Sequence, residues 1–335
     1  MTSFAETGPR TAVTEGIRVD KVNPRARLLK NIRAVVVIIL ALVGLIPVFA
    51  MGITAFKSRA DVVAVPPKLL FEPTLEGFVF LLTDRSQLRG TTLAEAQENA
   101  AGGEPIGIFD RIALQNGQRI NGPSDFILRL RNSLIIAGGS TLLSVTLGLF
   151  AAYAFSRFEI PGKDDLLFFI LSTRMLPAVV VAVPLFLMYR QLGLHDTHFG
   201  MILLYTVFNL SLTVWLLKGF IDEIPREYEE AALVDGYTRL QAFFKIVLPQ
   251  AATGIAATTV FSFIFAWNEY AFALMLTSNN ARTAPPAIAT MLGRGGIEWS
   301  AIAAGTLAFL IPVIFITFAL RKHLLRGVTF GAVRQ

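Results

Sequence analysis

The 335-residue sequence contains no cysteine and only three histidines. The absence of cysteine excludes disulfide bonds and cysteine-ligated metal sites. His195 and His198 stand close together in a short loop, but no third ligand lies nearby in the sequence. We therefore interpret both histidines as solvated loop residues and expect no metal site.

A phosphate-binding loop is also missing, because no segment matches the pattern Gly-x-x-x-x-Gly-Lys-Ser/Thr. No pairing of a nucleophile with a base indicates covalent chemistry. We therefore predict a non-catalytic chain that binds no cofactor. If ATP drives its activity, a separate subunit must bind the ATP.

Charged residues are scarce at 16%, whereas hydrophobic residues make up 54% of the chain. Soluble domains are usually ~45–50% apolar even when glycine is counted. The composition therefore predicts a membrane protein with several spans. The net charge of +6 is explained by Lys and Arg in cytoplasmic loops, so we expect membrane lipid around the chain and no nucleic-acid partner.

Six apolar runs are long enough to cross a bilayer, which takes about 20 residues in a helix. They comprise residues 34–56, 132–155, 166–189, 199–220, 251–276 and 301–320. The first run is too long for the core of a signal peptide, so we interpret it as an uncleaved span. Pro177 and Pro184 predict a kink in the third run. The fold class predicted is an all-α polytopic membrane protein.

The distribution of Lys and Arg places both termini in the cytoplasm. This topology gives a cytoplasmic tail (1–33), a first transmembrane helix (34–56), an external loop (57–131), a core of five helices (132–320) and a cytoplasmic tail (321–335). The external loop contains a region at 85–125 that is either a docking surface or a passive elaboration. Within it, residues 92–101 predict a short helix, and Asn116-Gly117 predicts a β-hairpin over 112–120.

A polar loop at 221–249 separates the fourth and fifth runs. Residues 224–233 predict a short helix, because Pro225 suits its first turn and acidic residues follow near its N-terminus. Gly236 is expected to end this helix in a left-handed conformation. Residues 239–247 predict a second helix before the chain re-enters the membrane.

The fixed positions of this loop resemble the EAA loop of ABC importer permeases. They are Glu230, Ala231, Ala232, Gly236, Ile246, Leu248 and Pro249. The resemblance implies the six-helix fold of these permeases and a location in the bacterial inner membrane. It also implies that the loop is a coupling helix seated in a groove of an ATPase subunit, which carries the ATP and Mg. The implied complex contains a homologous second permease subunit, two ATPase subunits and an external solute-binding protein.

The C-terminal tail resembles the ending of the G-type subunit of maltose-like carbohydrate importers. The matching residues are Gly327, Gly331, Ala332, Val333 and Arg334, with Arg334 where lysine is usual. The resemblance implies that the tail reaches the ATPase dimer and that the solute is a sugar, oligosaccharide or polyol. A simple positively charged anchor is the alternative for this tail.

A polar cluster interrupts the fifth run at Trp267, Asn268, Glu269 and Tyr270. An ionisable residue in a span usually faces the protein interior or a watery cavity. We therefore predict a lining of the substrate pathway, with hydrogen bonding between helices as the alternative. Arg174 and Asn209 are further candidates, although Arg174 can also extend its guanidinium to the membrane surface.

Two other classes of function remain open from the sequence. A secondary transporter would need its own ion-coupling carboxylates in the membrane, for which Glu269 alone is thin support. A membrane scaffold without transport would not need the coupling loop. An importer permease for a solute other than a sugar is a third possibility.

Overall fold

The computed structural model describes residues 24–101, 107–293 and 296–331. Residues 1–50 and 51–335 form two separate compact units. The first unit is described only for residues 24–50, which belong to helix α1 (Pro24–Ala55). This helix contains the predicted first span.

Four helices are each long and apolar enough to cross a membrane: α1, α6 (Phe126–Arg157), α9 (His198–Asp222) and α16 (Trp299–Gly331). Two bent pairs of helices supply the remaining candidate spans. The first joins α7 (Lys163–Ser172) to α8 (Ala178–Gln191), and the second joins residues 239–250 to α13 (Ala252–Trp267). The described residues therefore contain six spans if each bent pair counts as one.

The third predicted run bends by 91° between α7 and α8. A short 3-10 turn, Thr173–Met175, ends the first half, and Leu176 then adopts an extended conformation. Pro177 disfavours the helical conformation for Leu176, because the proline ring clashes with the preceding residue. The predicted kink is therefore confirmed, and it forms at Pro177. Pro184 lies inside α8.

The fifth predicted run, 251–276, is not one continuous helix. Helix α13 ends at Trp267, and a separate helix, α14 (Ala271–Leu276), begins after three further residues. The break falls on the polar cluster, because Glu269 bonds to the backbone of α14 and competes with continuation of α13.

Helices α6 and α9 form the centre of the second unit. They approach closely at Gly148, where a Cβ atom would lie 2.5 Å from Cγ2 of Thr213. Small residues permit such close packing of membrane helices. A buried hydrophobic cluster elsewhere in this unit packs Ile136 of α6 with Met201 of α9 and Trp267 of α13. The pair α6–α9 thus forms a packed scaffold on which the other elements rest.

The region between α1 and α6 contains two short helices, α2 (Arg59–Val62) and α3 (Glu76–Leu82), and then the segment expected to be an insertion. That segment holds β1 (Thr83–Gln87), α4 (Thr91–Ala101), α5 (Ile108–Gln115) and β2 (Gln118–Pro123). The predicted helix at 92–101 corresponds to α4.

The predicted hairpin over 112–120 is wrong. Residues 112–115 belong to α5, and β2 pairs in antiparallel fashion with β1, about 35 residues earlier, as in the pair Ser86–Arg119. Asn116 and Gly117 form a turn from helix to strand, with Gly117 at φ +65°. Asn-Gly favours any turn that needs a positive φ, so it does not specify two flanking strands.

The remaining elements are α10 (Glu227–Val234), α11 (Arg239–Ala242), a π-helical turn (Phe243–Val247), α12 (Leu248–Gln250), α15 (Ala284–Ala289), β3 (Leu292–Gly293) and β4 (Gly296–Ile297). Strands β3 and β4 pair in antiparallel fashion just before α16. Helix α16 continues to Gly331, so Gly327 and Gly331 extend the last helix rather than begin a separate tail. Ala332, Val333 and Arg334 lie outside the described residues.

Candidate functional site

Helix α10 begins three residues later than predicted. Arg226 is its N-cap residue and Pro225 precedes the helix, so the proline does not occupy the first turn. The helix ends as expected, because Gly236 has φ +87°. Backbone bonds from Gly236 to Leu233 and from Tyr237 to Ala232, at 3.1 and 3.0 Å, close the turn. The C-terminal end of α10 is therefore closed by backbone hydrogen bonds at Gly236 and Tyr237.

The second helix of the loop, α11, is shorter than predicted, and the chain changes from an α-helix to a π-helical turn after Ala242. Thr238 and Gln241 form a capping box at the start of α11. The π-helical turn follows, and Ile246 and Leu248 are half-buried beside it. Pro249 lies in the first turn of α12, where its missing N–H leaves no bond unmade. A bend of 74° then leads into α13. Of the fixed positions, Gly236 therefore ends α10, and Pro249 lies in the short helix just before the bend.

Helix α10 turns only one face outwards. Ala232 is 4% exposed and packs within this chain, so its methyl group is not free to enter a partner's groove. Glu230 and Ala231 are exposed, and Val234 is 88% exposed. A partner can therefore contact Glu230, Ala231 and Val234, while Ala232 holds the helix in place.

Glu229, which sequence reasoning did not single out, anchors α10 to α6. Its carboxylate forms a buried ion pair with Arg157 and accepts a 2.9 Å hydrogen bond from the hydroxyl of Tyr153. Tyr153 and Arg157 are four residues apart, which places them on one face of α6. The sequence signal that could have identified this anchor was the four-residue spacing of Tyr153 and Arg157 at the end of the helix.

A polar cleft of about 220 Å³ lies beside α10. It is lined by Tyr153, Arg157, Arg226, Glu229, Glu230, Leu233, Arg239 and Ala242. Arg226 donates a 2.8 Å hydrogen bond to the carbonyl of Ser156, and Arg239 lies 5.4 Å from the ring centre of Phe158. Glu230 therefore stands at the edge of a cleft that carries three guanidinium groups.

A second cavity, of about 250 Å³, lies among α8, α9 and α13. It is lined by Arg174, Leu176, Ala178, Tyr205, Phe208, Asn209, Phe265, Ala266, Glu269 and Phe272. The guanidinium of Arg174 stacks 4.3 Å from the ring centre of Phe265 and donates to the carbonyl of Phe208 at 3.3 Å. The structure thus brings Arg174, Asn209 and Glu269 to one cavity.

The carboxylate of Glu269 has three donors. The hydroxyl of Tyr205 lies at 2.5 Å, and the backbone N–H groups of Phe272 and Ala273 lie at 2.8 and 3.0 Å. An acidic side chain that bonds the first N–H groups of a helix acts as its cap. Glu269 therefore both lines the cavity and fixes the start of α14.

The rest of the predicted polar cluster points elsewhere. Trp267 is 1% exposed. Its ring stacks on that of Phe309 with the ring centres 4.6 Å apart, and its indole N–H donates to the carbonyl of Phe309 at 3.1 Å. Asn268 is exposed and bonds to Ile264 in its own helix. Tyr270 is 40% exposed and does not line the cavity. Asn209, although in the cavity wall, is buried and donates to the carbonyl of Ser262.

At the end of α6 opposite α10, Asp196 accepts hydrogen bonds from four consecutive backbone N–H groups, at residues 278–281. Burial raises the pKa of Asp196, but the four N–H donors outweigh it and lower the pKa to about 2. The loop between α8 and α9 is thereby joined to the loop between α14 and α15.

The two histidines predicted to be solvated make tertiary contacts beside this junction, so that interpretation is wrong. His198 lies 2.9 Å from the side-chain oxygen of Asn132. The amide of Asn132 donates to the carbonyls of Asn280 and Arg282 at 2.8 and 3.0 Å. The ring of His195 packs edge-on against Phe186.

The described residues thus combine several segments long and apolar enough to cross a membrane with a short helix, α10, on the loop before the fifth. The family described as "Binding-protein-dependent transport system inner membrane component" matches residues 144–330. The chain belongs to this family, so the predicted ABC importer permease is confirmed.

Three individual comparisons agree. The "Probable ABC transporter permease protein y4oR" of Sinorhizobium fredii is 30% identical, over 88% of this chain and 92% of the relative. The "Trehalose transport system permease protein SugB" of Mycobacterium tuberculosis is 41% identical, over 62% of this chain and 77% of the relative. A crystal structure of a bacterial ABC transporter involved in alginate import has a chain with TM-score 0.60 and 20% identity, covering 90% of this chain and 98% of its own, which shows the shared fold.

Proposed function

We propose that this chain is a permease subunit of an ATP-driven importer for a sugar, oligosaccharide or polyol. The observation that carries this proposal is α10, a short capped helix with one face anchored inside the chain and the other exposed. The trehalose permease SugB, 41% identical over 212 residues, supports the carbohydrate class.

The exposed face of α10 is proposed to dock an ATPase subunit. Besides Val234, the loop exposes Leu240 by 62% and Tyr237 by 38%. Apolar side chains grouped on a polar loop are typical of a protein interface. Glu230 then pairs with a basic group at the rim of that interface. The ATP and Mg belong to the docked subunit.

The family supports a proposal for the rest of the complex. We propose a heterodimer with a homologous permease subunit, two ATPase subunits and an external solute-binding protein. Gly327 and Gly331 belong to the last part of α16, and we propose that this end of the chain, including Ala332, Val333 and Arg334, contacts the ATPases.

We propose an orientation in the bacterial inner membrane with both termini and loop 221–249 in the cytoplasm. Residues 57–131 then lie on the external side and residues 132–320 form the permease core, as the distribution of Lys and Arg indicates. Helix α6 begins near the external region and ends at Arg157 beside α10. The scaffold therefore connects the two sides.

The cavity around Arg174 and Glu269 is proposed to line the solute pathway. Arg174 offers N–H donors, Tyr205 and Glu269 offer oxygen atoms, and Phe208 and Phe265 offer rings. Hydroxyl groups and the apolar face of a sugar ring suit such a lining. At about 250 Å³ the cavity is smaller than typical ligand pockets, which span about 300–1,000 Å³, so the second permease subunit is expected to complete it.

Reconstitution tests this function. The chain, its partner permease, the ATPase and the binding protein are placed in liposomes, and uptake of labelled trehalose and related sugars is measured. We expect uptake that requires both ATP and the binding protein. Uptake driven by an ion gradient without ATP would contradict the proposal.

A further inference from the structure

The inner end of α6 carries a buried ion pair that fixes the coupling helix. The side chains of Arg157 and Glu229 are 5% and 10% exposed. Tyr153 donates to the same carboxylate at 2.9 Å. A charge-assisted hydrogen bond is about twice as strong as a neutral one, so this contact joins α6 to α10 firmly.

Arg157 does more than neutralise Glu229. Its second terminal nitrogen donates to the carbonyl of Ile224 at 2.9 Å, which fixes the turn that leads into α10. From the other side, Arg226 donates to the carbonyl of Ser156 at 2.8 Å. The turn before α10 is therefore bonded to the end of α6 in both directions.

The end of α9 is part of the same arrangement. The hydroxyl of Ser156 donates to Asp222 at 2.5 Å, and Arg157 donates to that hydroxyl oxygen at 3.0 Å. The α6–α9 scaffold thus contacts α10 through a continuous set of polar bonds. Coupling between distant sites is carried by such networks and by rigid elements.

We propose that Glu229 and Arg157 are positioning residues that make α10 move as one body with the α6–α9 scaffold. The inference rests on the proposed function, because it assigns to the pair the transfer of ATPase motion to the membrane helices. Glu230, the fixed acid of the loop, faces the partner, while its neighbour Glu229 faces inwards. Each acid therefore has a distinct task.

The chemistry explains why a neutral contact would not suffice. Removing one member of a buried ion pair leaves an uncompensated charge, which is strongly unfavourable. While the pair is intact, tilting α10 away from α6 would separate the two charges. The bond therefore resists bending at the turn when the docked ATPase pulls on α10.

The test uses the reconstituted complex and the variants Glu229→Gln, Arg157→Gln and their combination. Glu223→Gln is the matched control, because Glu223 is an exposed acid at the end of α9, outside the docking face of α10. Three quantities are measured: ATPase retained on purification, ATP hydrolysed per solute imported, and hydrogen exchange of the α10 amides.

We expect Glu229→Gln to retain the ATPase in the wild-type amount while the solute imported per ATP falls. The fall should be about 5- to 150-fold, the range typical of coupling between two sites. Both single variants break the same contact between Glu229 and Arg157. The double variant should therefore import no less solute per ATP than the more impaired single variant. The exchange of α10 amides should rise, and the control should behave as wild type.

Wild-type solute per ATP in Glu229→Gln would overturn the inference. So would additive losses in the double variant, or a loss of ATPase in proportion to the loss of uptake, because the pair would then serve only folding or docking. Failure of the proposed function appears separately, as a wild-type complex that holds no ATPase or imports solute without ATP.

Discussion

Tyr205 on α9 donates a 2.5 Å hydrogen bond to the carboxylate of Glu269, at the break in the fifth membrane segment. The same carboxylate caps α14. The sequence left two roles open for Glu269, pathway lining and bonding between helices. The geometry combines them, because the residue that faces the cavity also sets where α14 begins.

Replacing Glu269 separates these roles. Glu269→Gln keeps an acceptor oxygen, so we expect the complex to assemble while uptake falls. Glu269→Ala also removes the cap, which costs about 0.5–2 kcal/mol, so we expect a lower thermal unfolding temperature as well. Tyr205→Phe is the control for stability only, because it deletes one hydrogen bond to Glu269 and leaves the cap of α14 in place. Normal transport by purified Glu269→Ala complex would show that the pathway assignment is wrong.

Gly236 tests the backbone conformation that aims α10. A Cβ atom there would meet no heavy atom within 4 Å, so the penalty of a substitution is conformational. At φ +87° it is about 1–2 kcal/mol for a side chain. We expect Gly236→Ala to reduce ATPase docking and Gly236→Val to reduce it further.

Gly219 provides the matched control for this experiment. It lies in α9, its Cβ position is equally open within this chain, and its helical backbone accepts alanine. Gly219→Ala should leave docking intact. Equal docking by Gly236→Ala, Gly236→Val and Gly219→Ala would mean that the left-handed turn does not orient α10.

Asp196, in the loop between α8 and α9, predicts a pH dependence of stability. Its pKa in the folded protein is about 2, below the ordinary 3.8, so its carboxylate stabilises the fold fully above about pH 4. That contribution is lost as the pH falls through about 2. At pH 7, Asp196→Asn should therefore lower the unfolding temperature and speed hydrogen exchange at residues 278–281.

The control for this prediction is Asp110→Asn, at an exposed acid of α5. The difference between wild type and Asp196→Asn should persist from pH 7 to pH 5. A difference that vanished between pH 7 and pH 5 would contradict the low pKa and the four-donor arrangement.

Single cysteines in this cysteine-free chain test the proposed orientation. Gln115 in α5 and Tyr228 in α10 are both exposed. We expect an impermeant thiol reagent to label Gln115→Cys from outside intact cells, and Tyr228→Cys only after the membrane is opened. The opposite pattern would contradict the placement of both termini in the cytoplasm.

The sequence predicted most of the structure of loop 221–249 because its signals are local. Gly236 requires no distant partner to end a helix, and Pro177 bends its own segment. The orientation of the two neighbouring acids was different. Whether Glu229 or Glu230 faces inwards depends on how α10 meets α6, and that depends on Arg157, which is distant in the sequence.

The wrong predictions have the same physical origin. The Asn116-Gly117 turn was identified correctly, but the partner of β2 lies about 35 residues away in β1. Likewise, the residues around Glu269 are adjacent in the chain, yet Trp267 packs on α16 while Glu269 faces α9. At a break in a helix, neighbouring side chains point in different directions, and the amino-acid sequence of the segment does not show which.

The central claim is that α10 docks an ATPase through its exposed face. The most direct measurement is the amount of ATPase that co-purifies with Glu230→Lys, compared with Glu223→Lys, an exposed acid at the end of α9. Placing like charges together across an interface costs several kcal/mol. We predict that Glu230→Lys loses most of the ATPase and Glu223→Lys retains it. Wild-type retention by Glu230→Lys would contradict the account.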